Sequence, residues 1–374
     1  MAIDKVTTPA IADANITTAK LAYDAAPFRN IIINGDMSLA QRSTSVSSIS
    51  SGNTIHTCDR WKTYASSAGT WTQTQEALTS GDAYTNGFAT SLKLDCTTAN
   101  GSLSSGSYLS VAQSIEAQNL QYIKKGTSNA EQLTASFWVK STKTGTNIVQ
   151  FVSLDDTVRI CAQSYTISSS DTWEKKTITI PADTSSTGNI SNDNGEGLRM
   201  IFWVVAGTDY TSGTLATTWA DTANANRAVG QVNNADSTSN NFEITGVQLE
   251  IGDAASDFEF LPVDVNINRC QRYFYKKVSI NAYGPLCQGM QIGGSDCMMQ
   301  GYHPVKMRSS PSLSISGTWA VESGTTNATF ALGTTRSNLF GWSNQQSITA
   351  TDGSAAIIYG SNDASATFTA EAEL

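Results

Sequence analysis

The acidic residues are the first place to look for chemistry in this chain. Glycan cleavage needs two carboxylates roughly 5 to 9.5 Å apart across a cleft, one with a raised pKa. Asp155 with Asp156 and Glu250 with Glu259 are the formal pairs. Adjacent strand residues point to opposite faces, which separates Asp155 from Asp156, and Glu250 alternates with apolar positions as a surface group does. Histidine is scarce: His56 and His303 are the only two, both in loop-like contexts, so a Ser-His or Cys-His nucleophile has little to draw on. The six cysteines, Cys58, Cys96, Cys161, Cys270, Cys287 and Cys297, form no C-x-x-C pair. They are expected as reduced thiols of a protein made in a cytosol, and not as zinc ligands. No catalytic residue is assigned, and the chain is not expected to be an enzyme.

Binding chemistry has more support. Sugars are held by aromatic faces flanked by hydrogen-bonding side chains in a shallow groove. Trp138 shares strand parity with Thr134 and Ser136 and so faces away from the core residues; it either meets a sugar or is covered by a loop or a second protomer. Trp71, Trp173, Tyr210 and Trp219 lie among polar, loop-like residues and are further carbohydrate-binding candidates, with ordinary packing as the alternative for each. Trp61 and Trp203 read as core, and Asp59 with Arg60 as a structural pair. The run Ser191 to Gly197 concentrates oxygen ligands, with Asp193, Asn194 and Glu196 the candidates for a structural calcium. It lacks the D-x-D-x-D-G order and distal Glu of a known loop, so a plain turn is the simpler reading. No other cofactor or metal is expected.

The elements that must position these residues are short strands. Only 15% of residues are charged, and Ser, Thr, Asn and Gly are abundant, the profile of an all-β protein with many loops. In LTASFWVK, Leu133, Ala135, Phe137 and Val139 form one face. In RMIFWVV the apolar character is continuous from Met200 to Val205, as for a strand covered on both sides. In NFEITGVQLEIG the apolar parity switches at Gly246, where a bulge is expected. The single candidate helix spans Ser114 to Lys125. Many strands with regular turn signals predict a jelly-roll β-sandwich. After Pro262 the texture changes: VNINRCQRYFYKK reads as an aromatic, basic strand, followed by strand signals at HPVKMR, SLSIS, ATFAL and AAIIY. The expected organisation is residues 1–27 as a stem, 28–265 as the jelly roll and 266–374 as a smaller C-terminal β domain.

The stem is inferred from a repeat. Slid by ten positions, VTTPAIA falls on ITTAKLA. Three chains side by side would enclose Val6, Ile11, Ile16 and Leu21 along a common axis, which predicts a homotrimer; the alternative is a disordered Ala/Thr tail. A net charge of −9 argues against nucleic acid as a partner. No stretch approaches the roughly 18 consecutive apolar residues of a membrane span, and no export signal is legible.

Four stretches together resemble bacteriophage virion proteins, chiefly tail-fibre and adhesin proteins with a carbohydrate-binding-module-like jelly roll. They are NIIINGDMSLAQRSTS with DRW (residues 30–45 and 59–61), LTASFWVKSTKTGT (133–146), GVQLEIGDAASDFEFLPVDVNINRCQRYFYK (246–276) and HPVKMRSSP (303–311). The N-terminal repeat is similar to stem repeats of such fibres. The resemblance implies a virion protein assembled in the host cytoplasm, joined to tail or capsid proteins through its N-terminus and bound to a host surface glycan. With two repeats, the chain matches a short tail fibre or spike. The alternatives are a decoration or adaptor protein without ligand, or a glycan-degrading depolymerase.

Overall fold

A computed structural model describes residues 28–332 and 334–374, so the stem residues Val6, Ile11, Ile16 and Leu21 lie outside the described residues. The chain divides between Leu261 and Pro262 into two units. The first holds β1 (Ser45–Thr54), β2 (Lys62–Ala77), β3 (Thr90–Thr98), β4 (Tyr108–Glu116), β5 (Leu133–Ser141), β6 (Gly145–Ser153), β7 (Arg159–Ile167), β8 (Glu174–Ile180), β9 (Glu196–Ala206), β10 (Ala220–Asp221) and β11 (Asn241–Ile251). All pair antiparallel in the order β10-β7-β6-β9-β4-β2-β3-β11-β5-β8, with β1 beside β2.

One strand turns this sheet into a sandwich. β2 pairs with β4 over Lys62–Ser66 and with β3 over Thr70–Ala77. Between them Ser67 and Gly69 adopt positive φ, which bends the strand from one layer into the other. The layers close on a common core. Val149 and Phe151 of β6 and Met200, Phe202 and Val204 of β9 meet Ala135, Phe137 and Val139 of β5 and Phe242 and Ile244 of β11. Phe137 meets Phe202 edge-on with ring centroids 4.9 Å apart. The unit is an all-β jelly-roll sandwich, with the predicted inward face of β5 in place. β9 lies between β6 and β4, and Ile201 and Trp203 on its outward side join a second cluster with Ala216 and Ala228, which explains its unbroken apolar run. β11 carries the expected bulge: its register against β5 shifts between Thr245 and Gln248, and Gly246 sits at φ 60°. The helix expected over Ser114 to Lys125 is mostly absent. β4 runs on to Glu116 because its edge is paired with β9, and only Ala117–Ile123 coils, as a 3-10 helix.

The segment from Asn30 to Gly35 is buried yet belongs to no strand. It lies along β11 where β3 no longer pairs: Ile31 donates to the Leu249 carbonyl (2.9 Å), and Val247 donates to that of Gly35 (2.9 Å). Side-chain amides supply what the ladder does not. Asn30 Oδ1 accepts from Ile32 (3.0 Å) and Leu249 (3.1 Å), and its Nδ2 donates to the Val247 carbonyl (3.2 Å). The Gln113 amide pairs with both the N–H and the C=O of Ile33, each at 2.8 Å. Trp61 Nε1 donates to the Asn34 carbonyl at 3.0 Å. A Cβ on Gly35 would sit 2.0 Å from the Val247 carbonyl oxygen, so only glycine permits this approach.

The second unit opens with a helix, Val263–Gln271, where a strand was expected. Pro262 precedes it with φ −53°, Asp264 sits in its first turn and Arg269 in its last, and Asn266 and Cys270 turn one face inward at helical spacing. It then has a three-stranded sheet of the strands Phe274–Val278, Thr367–Glu371 and Ser312–Ser316, with Thr367–Glu371 central. A seven-stranded antiparallel sheet packs on it, the Trp342 ring stacked on Phe368 at 4.9 Å. HPVKMR is a loop, held by Met307, which is fully buried and donates its N–H to the Leu339 carbonyl.

Replacing Asn30 by Ala strands two N–H groups and a carbonyl inside the protein. Urea unfolding should show a loss of about 3 kcal/mol, since each buried unsatisfied group costs about 1–3. Gly35→Ala should be at least as damaging. A loss below about 0.5 kcal/mol for both would mean the segment does not hold the sandwich.

Candidate functional site

The outward face of the β2-β4-β9 region carries a cavity of about 200 Å³. Its shape follows from cross-strand neighbours. Ser110 of β4 stands between Tyr64 of β2 and Trp203 of β9, its registered partners on either side. A small side chain between two large ones leaves a trough. Tyr108 and Arg199 extend its walls and Ile201 lines it further, while Tyr210 and Arg227 close it from the connection after β9. That connection is anchored: Gly207 donates to the Ser107 carbonyl, Asp209 to that of Ser105, and Ala228 to that of Tyr210. The last bond sets Arg227 beside Tyr210.

The rings are fixed by contact. Tyr210 packs edge-on against Tyr108 (5.9 Å between centroids) and tilted against Trp203 (5.2 Å). Trp203 Nε1 donates to Gln150 Oε1 at 3.1 Å, which locks the indole. Arg199 lies 5.3 Å from the Tyr64 ring centre and is engaged by Glu196 through bonds of 2.7 and 2.5 Å. Burial raises the Tyr64 and Tyr210 phenols above the ordinary tyrosine range, so both remain hydrogen-bond donors at neutral pH. The arrangement offers π faces for apolar C–H groups and hydroxyls and a guanidinium for polar ones.

The predicted binding residues fall in different places. Tyr210 lines the cavity; Trp138, Trp71, Trp173 and Trp219 do not. Trp71 is enclosed in the core, its Nε1 donating to the Ala68 carbonyl at 2.7 Å, because β2 carries it inward after the bend. Trp173 is buried with Leu78, Ala83 and Phe88 under the opposite layer. Trp138 does face outward, but it packs against that same cluster, so its cover comes from its own chain. Trp219 is half-buried, donates to the Pro181 carbonyl and carries the Lys125 ammonium 4.2 Å over its ring. Lys125 in turn meets Asp183 at 2.6 Å, and Arg159 reaches the same carboxylate at 3.0 Å, a buried ionic cluster that makes Trp219 structural. Trp61 is core as expected, whereas Trp203 is both core and cavity wall. Asp59 accepts from Gln41, and Arg60 donates to the Ser114 carbonyl, so both have structural roles. Sequence reasoning missed Tyr64, Tyr108, Arg199 and Arg227. The available signal was parity, since Tyr108 and Ser110, like Arg199, Ile201 and Trp203, alternate with core residues.

The formal catalytic groups are occupied. Glu250 is buried, contrary to its expected surface position: it accepts from Ser256 (2.9 and 2.6 Å) and Gln248 (2.9 Å) and lies 3.8 Å from Arg29. Glu259 accepts from the N–H groups of Phe28 and Asn30. Asp155 accepts from Ser191, and Asp156 is exposed. Burial pushes the Cys58, Cys161 and Cys287 thiols up to about 12, far from thiolate reactivity. In the candidate calcium loop Asp193 Oδ1 accepts from Gly195 at 2.7 Å, Asn194 is exposed, and Glu196 is turned to Arg199, so the carboxylates form a turn and an ion pair. Among the described residues no group of three or more His, Cys, Asp or Glu side chains is placed to hold a metal ion, and no helix is long and apolar enough to cross a membrane.

No family model and no curated protein matches the chain. Among solved structures it is similar to the enzymatically active domain of tailspike protein 4 of bacteriophage CBA120, at 14% identity and a TM-score of 0.31, over 61% of this chain and 22% of the tailspike chain. A putative sugar binding protein from Bacteroides thetaiotaomicron matches at 12% identity and a TM-score of 0.31, over 60% of this chain and 100% of that one. A family 11 carbohydrate-binding module of a Clostridium thermocellum cellulase matches at 12% identity and 0.26, over 55% and 98%. The chain thus spans about a fifth of the tailspike length, and these likenesses assign no residue a role.

The ionic cluster under Trp219 sets an acid limit. Burial alone would raise the Asp183 carboxyl, but hydrogen bonds from Arg159 and Lys125 outweigh it and hold it below the usual carboxylate range. A folded pKa below the unfolded value contributes stability above about pH 4, lost as pH falls through the folded value. Asp183→Asn should cost about 3 kcal/mol at pH 7 by leaving Lys125 uncompensated. Its stability should also fall less steeply than wild type below about pH 4; parallel curves would remove Asp183 from the acid response.

Proposed function

We propose that this chain is a bacteriophage virion protein, a short tail fibre or spike, whose sandwich binds a host surface glycan in the Tyr64-Tyr108-Trp203-Tyr210 cavity. The observation that carries the binding half is the trough itself: four aromatic rings and two guanidinium groups around a small-residue floor, on a sheet face turned away from the core. The virion half is supported by the four resembling sequence stretches and the decapeptide repeat. In this reading the protein is a homotrimer joined to its particle through the N-terminus, and each copy contributes one weak sugar site, so adhesion depends on avidity. In this reading the sandwich binds the glycan without cleaving it; Asp155, Asp156, Glu250 and Glu259 are not among the residues that line the cavity.

Tyr210→Ala should weaken binding of labelled protein to host cells by about tenfold per site, the size of one aromatic contact. Trp138→Ala and Trp219→Ala should leave it unchanged in protein that remains folded. Competition by isolated host polysaccharide identifies the ligand as glycan, and no reducing ends should be released. Equal binding by wild type and Tyr210→Ala would remove the cavity from the function. Light scattering at about three chain masses is the expected oligomer; a persistent monomer would remove the stem.

A further inference from the structure

The cavity holds a positive charge that the protein does not neutralise. Arg199 is matched by Glu196. Arg227 has no ion pair with any described carboxylate. Its Nε donates to Gln150 Oε1 at 3.3 Å, and the guanidinium lies 5.3 Å from the Trp203 ring centre and 5.8 Å from that of Tyr210. Its two Nη groups have no hydrogen-bond acceptor among the described residues, and neither do the hydroxyls of Tyr64, Tyr108 and Tyr210, all of them cavity-lining side chains. Asp209 is the carboxylate that acts on Tyr210, and it is exposed and does not pair with Arg227. Burial, followed by the Arg199 charge, lowers the Arg227 pKa from the ordinary arginine range, which registers the cost of keeping that charge in place.

A half-buried guanidinium set beside two aromatic rings, with its outer fork unused, is a receptor for a planar anion. We infer that the cavity takes the carboxylate of an acidic sugar, with the Arg227 fork on the carboxylate and the aromatic rings on the sugar's C–H face. The volume of about 200 Å³ is below the roughly 300 Å³ of sites for drug-sized ligands, and so admits one sugar unit of a longer chain. This rests on the proposed glycan-binding role and names the class of glycan. The protein's net charge of −9 makes the local surplus selective: an acidic polymer is repelled elsewhere on the surface and admitted where Arg227 stands.

The test is titration of the full-length protein with galacturonic acid, N-acetylneuraminic acid, galactose and glycerol 3-phosphate, followed by calorimetry and by chemical shifts of the tryptophan indoles. The two carboxylate sugars should bind at least about tenfold more tightly than galactose. Their affinity should fall with added salt and fall about tenfold or more in Arg227→Gln, with Arg227→Lys intermediate because it keeps the charge and loses the fork. Far-UV circular dichroism checks that both variants fold. Galactose binding as tightly as the acids, with no effect of Arg227→Gln, would overturn the anionic assignment and leave the glycan-binding role standing. Tighter binding of glycerol 3-phosphate than of either acidic sugar would overturn the carboxylate in favour of phosphate. If none of the four binds at millimolar concentration and host polysaccharide also fails, the inference and the role it rests on fall together.

Discussion

A buried stretch of backbone outside any strand must find a partner for every N–H and C=O, because an orphaned group inside the protein costs on the order of 1–3 kcal/mol. Residues 30–35 pose that problem in the middle of the sandwich. Asn30, Gln113 and the Trp61 indole resolve it, and β11 offers the edge that β3 leaves open after Ile244. Much else is subordinate to this arrangement. Gly35 must be glycine to reach Val247, Gly246 must bulge so that β11 keeps its apolar residues inward, and Glu259 is fixed by the N–H groups it receives.

The stretches that carry the family resemblance gain a physical meaning here. NIIINGDM and GVQLEIGDAASDFEFLP are more than two hundred positions apart in sequence and in direct contact in the fold, and DRW supplies Trp61 to the same assembly. They are the parts of a clasp, and a clasp is indifferent to the ligand. β4 shows the separation most clearly: Gln113 points inward to Ile33, while Ser110, of opposite parity, floors the cavity outside. One strand serves architecture on one face and recognition on the other.

The sandwich, the inward face of β5, the two-sided burial of β9 and the bulge at Gly246 were legible because each is a parity statement, and parity is written in consecutive residues. Side chains whose surroundings come from remote segments were not. Trp71 and Trp173 sit among polar neighbours in sequence and are enclosed by other parts of the chain. Glu250 follows surface alternation, yet residues 253–261 fold back over it. Val263–Gln271 hid its helical spacing behind a strand-like composition that ends in Tyr273 and Phe274. The cavity was half legible: Trp203 and Tyr210 were both noticed, one as core and one as a binding residue, but nothing local pairs either with Tyr64 or Arg227.

The clasp also dictates when the first unit can become whole. The Phe28 and Asn30 N–H groups bond to Glu259, 231 and 229 positions later, and Ile31 waits for Leu249. Loop closure over such a span is slow, and topologies dominated by distant pairings fold in milliseconds to seconds. On a ribosome adding roughly 5–20 residues per second, the opening segment of the sandwich therefore stays unpartnered for on the order of ten seconds or more, until the strand that receives it has been made. The isoleucine triplet Ile31-Ile32-Ile33, buried once the sandwich is complete, lacks its cover during that interval.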